Sequence, residues 1–345
     1  HADATLHALS EHPNIRHRIY NPVAVRYGGA ALRQIENLSD FERINHRMHN
    51  KLLLVDGRVA IVGGRNQADE YFGLREHHNF RDMEVIMQGP FVAELSRIID
   101  QYWNDPWTVP IEDLTAGDAD FDLAAERQAL AQNTLRVASP SPATEADWRR
   151  LFAGGFAGNL ELIVDTPPER SPDEDQPVQL AESLFSRIDG TETDLLLVSA
   201  YFIPTEPLTD ALRRAAERGV RVRVLTNSLG SNNHVTAHAA YTHHRPELLR
   251  AGVELYELRA DATDRANYIF SAAEDSALGL HAKFALFDDC CLFVGSSNLD
   301  PRSLRINTEV GALVDSPALN RQIREFFAVD LLPRNAWQVQ LAEDG

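Results

Sequence analysis

One pattern of residues occurs twice in the chain, and it constrains the fold more than any other feature. The stretches HNKLLLVD at 49–56 and HAKFALFD at 281–288 share one spacing of histidine, lysine and aspartate. Six further residues lead to a small pair in each copy, and an asparagine follows at the same offset from the histidine, at Asn66 and Asn298. A repeat of this kind indicates two structurally equivalent halves.

The sequence around each copy predicts the same order of elements. Each motif reads as a strand, a tight turn, a second strand and a glycine-rich bend, and a further short strand follows. After a proline, apolar residues recur at i, i+4, i+7 and i+8, which is typical of an amphipathic helix. These positions are Phe91, Leu95, Ile98 and Ile99 in the first copy, and Leu319, Ile323, Phe326 and Phe327 in the second.

These patterns predict an α/β protein in which two pseudo-symmetric α/β/α halves share one active site. The predicted domains are a first half at 1–110, a polar, proline-rich connection at 111–175 and a second half at 176–345. The second motif has a long lead-in of strands and helices, whereas the first has a short one. We therefore expect that the first half is truncated at its N-terminus and lacks its early strands and helix.

The composition excludes some classes of protein. A formal net charge of −18 repels nucleic-acid backbones, so no nucleic-acid partner is expected, although a locally basic cleft for one phosphate remains compatible with it. No apolar run reaches the roughly 18 residues that span a bilayer, so no transmembrane segment is predicted in this chain. The cysteines, Cys290 and Cys291, are adjacent, and we expect them to be reduced packing residues.

The motif residues suit chemistry at a phosphodiester. Two residues apart on a strand, His49 and Lys51 leave the same face, as do His281 and Lys283. One imidazole can attack phosphorus while the other protonates the departing alkoxide, because the pKa of histidine lies near working pH. The lysines, with the two motif asparagines, would bind the non-bridging oxygens as charge develops.

The distribution of lysine supports this interpretation. The chain has 33 basic residues other than histidine, yet lysine occurs only at Lys51 and Lys283. A compact ammonium can meet one oxygen beside a nucleophile, where a planar guanidinium is larger and prefers a bidentate grip. Chance is a poor explanation for two lysines at equivalent places in a repeat.

With these motifs the sequence resembles the phospholipase D superfamily, whose signature is His-x-Lys-x4-Asp-x6-Gly-Gly/Ser in two copies. Segments such as NHRMHNKLLLVDGRVAIVGGRNQADEYFG, AYFIP and GSSNLDPRS are similar to bacterial cardiolipin synthases of the C type. The resemblance implies a phosphohistidine intermediate, with His49 and His281 as nucleophile and acid/base, and His49 is our predicted nucleophile. No metal is expected, because the lysines already supply the positive charge, and no cofactor is predicted.

The resemblance also implies roles for further residues. The motif aspartates, Asp56 and Asp288, would anchor the site without touching substrate, and a downstream carboxylate would orient each histidine. Glu309 fits that place in the second copy; Glu84 is predicted in the first, with Asp82 close by. The predicted phosphate-binding residues are Asn66, Asn298 and Ser296.

The predicted function is a phosphatidyltransferase that joins two phospholipids with release of a small alcohol. The expected substrate is phosphatidylglycerol, with phosphatidylethanolamine as a second candidate. Such a protein would associate peripherally with the bacterial cytoplasmic membrane. Two alternatives stay open: a phospholipase or nuclease that uses water as acceptor, and a non-catalytic lipid-binding module. Asn227 and His234 lie in a polar segment that either contacts the lipid head group or is an ordinary loop.

Overall fold

The computed structural model describes residues 9–23, 45–114, 143–167, 179–267 and 276–342, with positions 6, 124, 125 and 128. The strands in these ranges are β1 Arg18–Tyr20, β2 Leu52–Val55, β3 Val59–Gly63, β4 His78–Arg81, β5 Glu84–Gln88, β6 Thr108–Pro110, β7 Asn159–Val164, β8 Asp194–Val198, β9 Arg221–Asn227, β10 Glu254–Leu258, β11 Ala277–Leu280, β12 Phe284–Phe287, β13 Cys291–Gly295, β14 Val310–Asp315 and β15 Ala336–Gln338. The α-helices are α1 Phe91–Trp103, α2 Glu145–Ala153, α3 Gln179–Asp189, α4 Glu206–Glu217, α5 Val235–Thr242, α6 Arg245–Arg250, α7 Pro301–Arg305 and α8 Pro317–Ala328.

The largest sheet has eight strands in the order β15-β10-β9-β8-β12-β13-β14-β7. Strands β8, β9 and β10 run parallel and are joined through helices, whereas the motif strands β12, β13 and β14 are antiparallel neighbours. In β8, Leu195 and Val198 are at most 1% exposed. A strand covered on both faces reads as a continuous apolar run, which is what the sequence shows there. The predicted α/β class is confirmed.

The first copy of the motif forms a smaller sheet, β2-β3-β5, with the same antiparallel pairing as β12-β13-β14. Both hairpins turn at an aspartate in the left-handed region, Asp56 at φ 53° and Asp288 at φ 47°. Aspartate tolerates this region better than most residues. The strand pairing therefore reproduces the duplication seen in the sequence.

Two apolar cores hold the layers together. One core lies between the small sheet with α1 and the large sheet with α8, and it includes Val62, Leu95, Phe284 and Phe327. The other lies on the opposite face of the large sheet, under α3 and α4. The two copies of the motif thus pack face to face across the first core, which brings their histidine ends to one place.

Main-chain pairing also crosses between the two halves. Strand β4 of the first half pairs in parallel with β11 of the second, with Arg81 opposite Leu280. Met48 forms an isolated parallel bridge with Thr308. Behind β4, a buried ion pair joins Arg81 to Asp330, and the Arg81 guanidinium lies over the Phe327 ring. The halves are therefore joined by backbone, charge and aromatic contacts close to both motif histidines.

Two expectations need correction. The stretch 111–175 was predicted to be only a polar, proline-rich connection, but β7 within it is an edge strand of the large sheet, and Ile163 is 6% exposed. Its residues 115–123, 126–127, 129–142 and 168–175 lie outside the described part. Cys290 and Cys291 were expected to be reduced, whereas the structure joins them in a disulfide between neighbouring residues.

Candidate active site

The backbone of each motif histidine is fixed by the other half of the molecule. The main-chain N–H of His49 donates to the Thr308 carbonyl at 2.9 Å, and that of His281 donates to the Arg81 carbonyl at 2.7 Å. In each case the residue after the acceptor has a carboxylate side chain. Parallel pairing therefore delivers one carboxylate of each half to the histidine of the other.

The imidazole–carboxylate pairs are exchanged between the halves. The Nδ1 of His49 lies 2.9 Å from both carboxylate oxygens of Glu309, and the Nδ1 of His281 lies 2.7 Å from an oxygen of Asp82. A carboxylate only accepts, so Nδ1 is the donor in both pairs. Each histidine therefore keeps Nε2 for the reacting groups.

Glu84 was predicted to orient a histidine, and this prediction is wrong. Its carboxylate accepts a hydrogen bond of 2.7 Å from Arg65 Nε, and Asp82, two residues earlier, takes the place beside His281. The reason is the register of β4 against β11. Glu84 begins β5, whereas Asp82 follows directly after β4, the strand that pairs with the segment before His281.

The two lysines lie under the histidines. The Nζ of Lys51 donates to the His49 carbonyl at 2.8 Å, and that of Lys283 donates to the His281 carbonyl and lies 3.1 Å from His281 Nδ1. Burial lowers the pKa of Lys51 to about 8, against the pull of Glu309. Burial likewise lowers the pKa of Lys283 to about 7. The pKa of each lysine therefore lies closer to neutral pH than the usual 10.5.

The surroundings of the two histidines differ. The side chain of His281 is 5% exposed, compared with 27% for His49. Burial, with Lys283 and Lys51 next, holds the pKa of His281 well below its usual 6.5, and the charge of His49 also acts on it.

The carboxylates that pair with the two histidines also differ from each other in pKa. Burial raises the pKa of Asp82 to about 6, although Lys283 pulls it down. Glu309 is fully buried, which alone would raise its pKa, but His49 and Ser296 bring the pKa below its usual value. Glu309 therefore remains ionised beside His49 over a wider pH range than Asp82 does beside His281.

The small pairs of the motif make room for these contacts. A Cβ at Gly64 would lie 2.8 Å from Asp82 Oδ1, 2.8 Å from Lys283 Cδ and 3.1 Å from the His281 carbonyl. In the second copy Ser296 stands at this place, and its hydroxyl donates to Glu309 at 2.5 Å. Ser296 thus orients the carboxylate in the structure, whereas the sequence analysis assigned it to the phosphate.

One of the two motif asparagines, Asn66, is linked to His281 through a tyrosine. Asn66 Nδ2 donates to the Tyr71 hydroxyl at 2.8 Å, and that hydroxyl is 3.5 Å from His281 Nε2. Asn298 is 5% exposed, and its Oδ1 finds no hydrogen-bond partner within the described ranges. Sequence reasoning missed Tyr71; its place five residues after Asn66 is the signal that could have suggested it.

The motif aspartates lie away from the reacting groups. Asp288 is separated from Lys283 by the length of β12, about 16 Å at roughly 3.3 Å per residue. Its carboxylate accepts hydrogen bonds from the main chain of Thr193 and Asp194, at 2.7 and 3.1 Å. Asp56 occupies the equivalent turn and is exposed. Asp288 supports the sheet at its far end, and neither aspartate reaches the site.

Asn227 has a structural explanation. It is 1% exposed, its Nδ2 donates to the Ala200 and Leu280 carbonyls, and its Oδ1 accepts from Leu280 N–H. Its amide is therefore committed to the segment that precedes His281. The ring of His234 packs against Tyr201 at a centroid distance of 5.3 Å.

The arrangement suits transfer at phosphorus. Two imidazoles are each paired with a carboxylate through Nδ1, and each has a lysine ammonium group beside its main chain. Within the described residues, no group of three or more histidine, cysteine, aspartate or glutamate side chains is arranged to hold a metal ion. The described ranges also contain no helix long and apolar enough to cross a bilayer.

Comparisons with known proteins agree with this geometry. A family model described as "Cardiolipin synthase, PLD-like domain" matches residues 184–331. Cardiolipin synthase C of Escherichia coli K12 is 34% identical over 98% of this chain and 72% of its own length. The chain belongs to the cardiolipin synthase type of the phospholipase D superfamily. The predicted family, and the prediction of a phosphatidyltransferase or phosphodiesterase enzyme, are therefore confirmed.

Other relatives of this phospholipase D protein cover it less completely. An uncharacterized protein of Helicobacter pylori J99 is 29% identical over 92% of this chain, which spans 63% of that relative. Among solved structures, phosphatidylserine synthase of Haemophilus influenzae Rd KW20 has a TM-score of 0.57 at 14% identity, over 85% of this chain and 63% of its own. At that identity the likeness concerns the fold alone.

Proposed function

We propose that this phospholipase D protein transfers a phosphatidyl group from one phospholipid to another through a phosphohistidine intermediate. The observation that supports this is the pair of exchanged imidazole–carboxylate contacts, His49 with Glu309 and His281 with Asp82. A nucleophile and a separate acid are what a two-step displacement at phosphorus needs.

The unequal surroundings of the two histidines support different roles for them. A nucleophile must be neutral, and burial, with the charges of Lys283 and Lys51, lowers the pKa of His281 and so favours its neutral form. A general acid must carry a proton, and His49 is paired with a carboxylate that stays ionised. We therefore assign His281 as nucleophile and His49 as acid/base, the reverse of the assignment made from the sequence.

The first step forms a bond between His281 Nε2 and the phosphorus of the donor lipid. The bond from phosphorus to the head-group oxygen breaks, and the departing alcohol takes the proton from His49 Nε2. In the second step the acceptor hydroxyl gives its proton back to His49 and attacks phosphorus. The phosphorus–nitrogen bond then breaks, and its electron pair returns to His281.

The lysines and asparagines would stabilise the charge on the non-bridging oxygens. Lys51 and Lys283 supply positive charge close to both histidines, and the Nδ2 groups of Asn66 and Asn298 are neutral donors. Tyr71 is close enough to His281 Nε2 to meet the group that approaches it. Phosphatidylglycerol as donor, phosphatidylglycerol or phosphatidylethanolamine as acceptor, and a peripheral position on the cytoplasmic membrane fit the similarity to cardiolipin synthase C.

Two donor lipids test the roles. Phosphatidyl-p-nitrophenol has a leaving group that departs without a proton, whereas phosphatidylglycerol releases an alcohol that needs one. With the nitrophenyl donor, we expect His49→Asn to give a burst of nitrophenol and an acid-labile phosphatidyl adduct on the protein. His281→Asn should give neither. With phosphatidylglycerol both variants should be inactive.

The readouts are stopped-flow absorbance for the burst and intact-protein mass for the adduct. A burst in His281→Asn but none in His49→Asn would reverse the roles, and no adduct in the folded wild-type protein would defeat the covalent route. Supplying phosphatidylethanolamine as second lipid and identifying products by mass separates transfer from hydrolysis. Phosphatidic acid as sole product would favour a phospholipase.

A further inference from the structure

Asp165 lies behind the active site, directly after β7, and is 1% exposed. Its Oδ2 accepts the main-chain N–H of Glu309 at 3.0 Å, and its Oδ1 accepts that of Leu180 at 3.0 Å. Its own main-chain N–H donates to the Glu309 carbonyl at 3.0 Å. Both main-chain polar groups of Glu309 are therefore held by one residue.

These contacts continue a sheet ladder beyond its last regular pair. Strand β7 pairs with β14 up to Val164 opposite Val310, and the next position brings Asp165 beside Glu309. The Asp165 carboxylate accepts the Glu309 N–H there. The Asp165 carbonyl is free to accept from the Tyr102 hydroxyl of the first half, at 2.7 Å.

A carboxylate is the side chain that suits this place. It can accept from two amides at once, whereas an asparagine offers one acceptor and an NH₂ group that would face an amide N–H. Leu180 is in the first turn of α3, whose dipole favours a negative charge at that end. Burial raises the pKa of Asp165 to about 7, although the hydrogen bonds from the Leu180 and Glu309 amides favour its ionised form.

We infer that Asp165 is a positioning residue for phosphoryl transfer, fixing the backbone of Glu309 and, through it, the direction in which Glu309 holds His49. The inference rests on the proposed function, in which His49 is the acid. Asp165 touches no reacting group. A shift of about 1 Å in a catalytic group is worth on the order of 10²-fold in rate, so the alignment of this carboxylate matters.

The test is Asp165→Asn in the whole chain, with the same two donors. If Glu309 is misaligned, proton transfer from His49 to the departing alcohol should be slower, whereas the attack of His281 on phosphorus should be unaffected. We expect kcat with phosphatidylglycerol to fall by about 10-fold or more, and the nitrophenol burst to stay within about 2-fold. A merely structural defect would lower both rates in proportion.

Asn320→Ala is the matched control. Asn320 is also 1% exposed and donates to the Cys291 carbonyl at 2.7 Å, at the hairpin turn distant from the histidines. Its loss removes a buried hydrogen bond and should lower the melting temperature without changing the ratio of the two rates. A changed ratio in this variant would overturn the assignment.

A double-mutant cycle with Glu309→Gln gives a second readout. If Asp165 acts through Glu309, then Asp165→Asn should add less than about 2-fold to the loss that Glu309→Gln causes with phosphatidylglycerol. The inference would be overturned if the rate losses of Asp165→Asn and Glu309→Gln multiplied in the double variant, or if Asp165→Asn lowered the rate equally with both donors. Should Asp165→Asn not fold, Asp165→Ser is judged by the same ratios. Failure of the proposed function is separate, since wild type would then form no adduct.

Discussion

A single methyl group added at Gly64 should disable the site while leaving the fold in place. The new Cβ would stand 2.8 Å from Asp82 Oδ1, and ordinary contact begins at 3.4 Å, so the neighbours must move by about 0.6 Å. The carboxylate and Lys283 are buried and have no solvent to move into. A displacement of that size lengthens the 2.7 Å bond between Asp82 and His281 to about 3.3 Å, beyond the range of a charged hydrogen bond.

We therefore expect Gly64→Ala to lower kcat by on the order of 10²-fold and stability by about 1–3 kcal/mol. The assay is adduct formation in single turnover, with urea unfolding for stability. Gly190→Ala is the matched control, because its Cβ would meet its nearest atom, the Ser186 carbonyl, at 3.5 Å. A folded Gly64→Ala enzyme with a rate within about 2-fold of wild type would refute the steric reasoning.

Three further predictions concern charge. Asp82→Asn should lower kcat by about 10⁴-fold, as loss of the carboxylate paired with a catalytic imidazole does. Glu84→Gln should change kcat by only a few-fold, because the ion pair of Glu84 with Arg65 is partly exposed. Equal kcat losses in the two variants would contradict the pairing of Asp82 with His281. Lys51→Arg should lower kcat by about 10²-fold, since a guanidinium cannot take the compact position under His49; near-normal turnover would count against this role. Folding lowers the pKa of Lys283 from 10.5 to about 7, so the unfolded state binds more protons than the folded state between these pH values. In urea titrations, the stability of the wild type relative to Lys283→Met should therefore increase as pH rises from about 7 to 10. A decrease in this stability difference would refute the burial argument.

The reactive residues could be predicted because they lie inside a local, repeated pattern. Strand alternation puts His281 and Lys283 on one face, and a second copy of that pattern at His49 implies a shared centre. The hairpins and the amphipathic helices α1 and α8 followed from periods of two and 3.6 residues. All of this information lies in the motifs themselves and in the segments that directly follow them.

The partners of these residues could not be predicted in the same way. Glu309 reaches His49 across 260 positions, and Asp82 reaches His281 across 199, through strand pairing that no local pattern specifies. Asp82 and Glu84 are equally plausible by spacing, and only the register of β4 against β11 separates them. β7 was missed because it lies in a segment whose overall composition is polar and rich in proline.

The exchange of carboxylates has a consequence for the history of such a chain. Neither copy of the duplicated unit contains both a motif histidine and the carboxylate that pairs with it, so a single copy needs a second copy to complete the pair. In a chain with two fused copies, a substitution of the carboxylate in one copy therefore alters the histidine of the other copy. The two halves can therefore differ in sequence over most of their surfaces, but the histidine of one half and the carboxylate of the other remain dependent on each other.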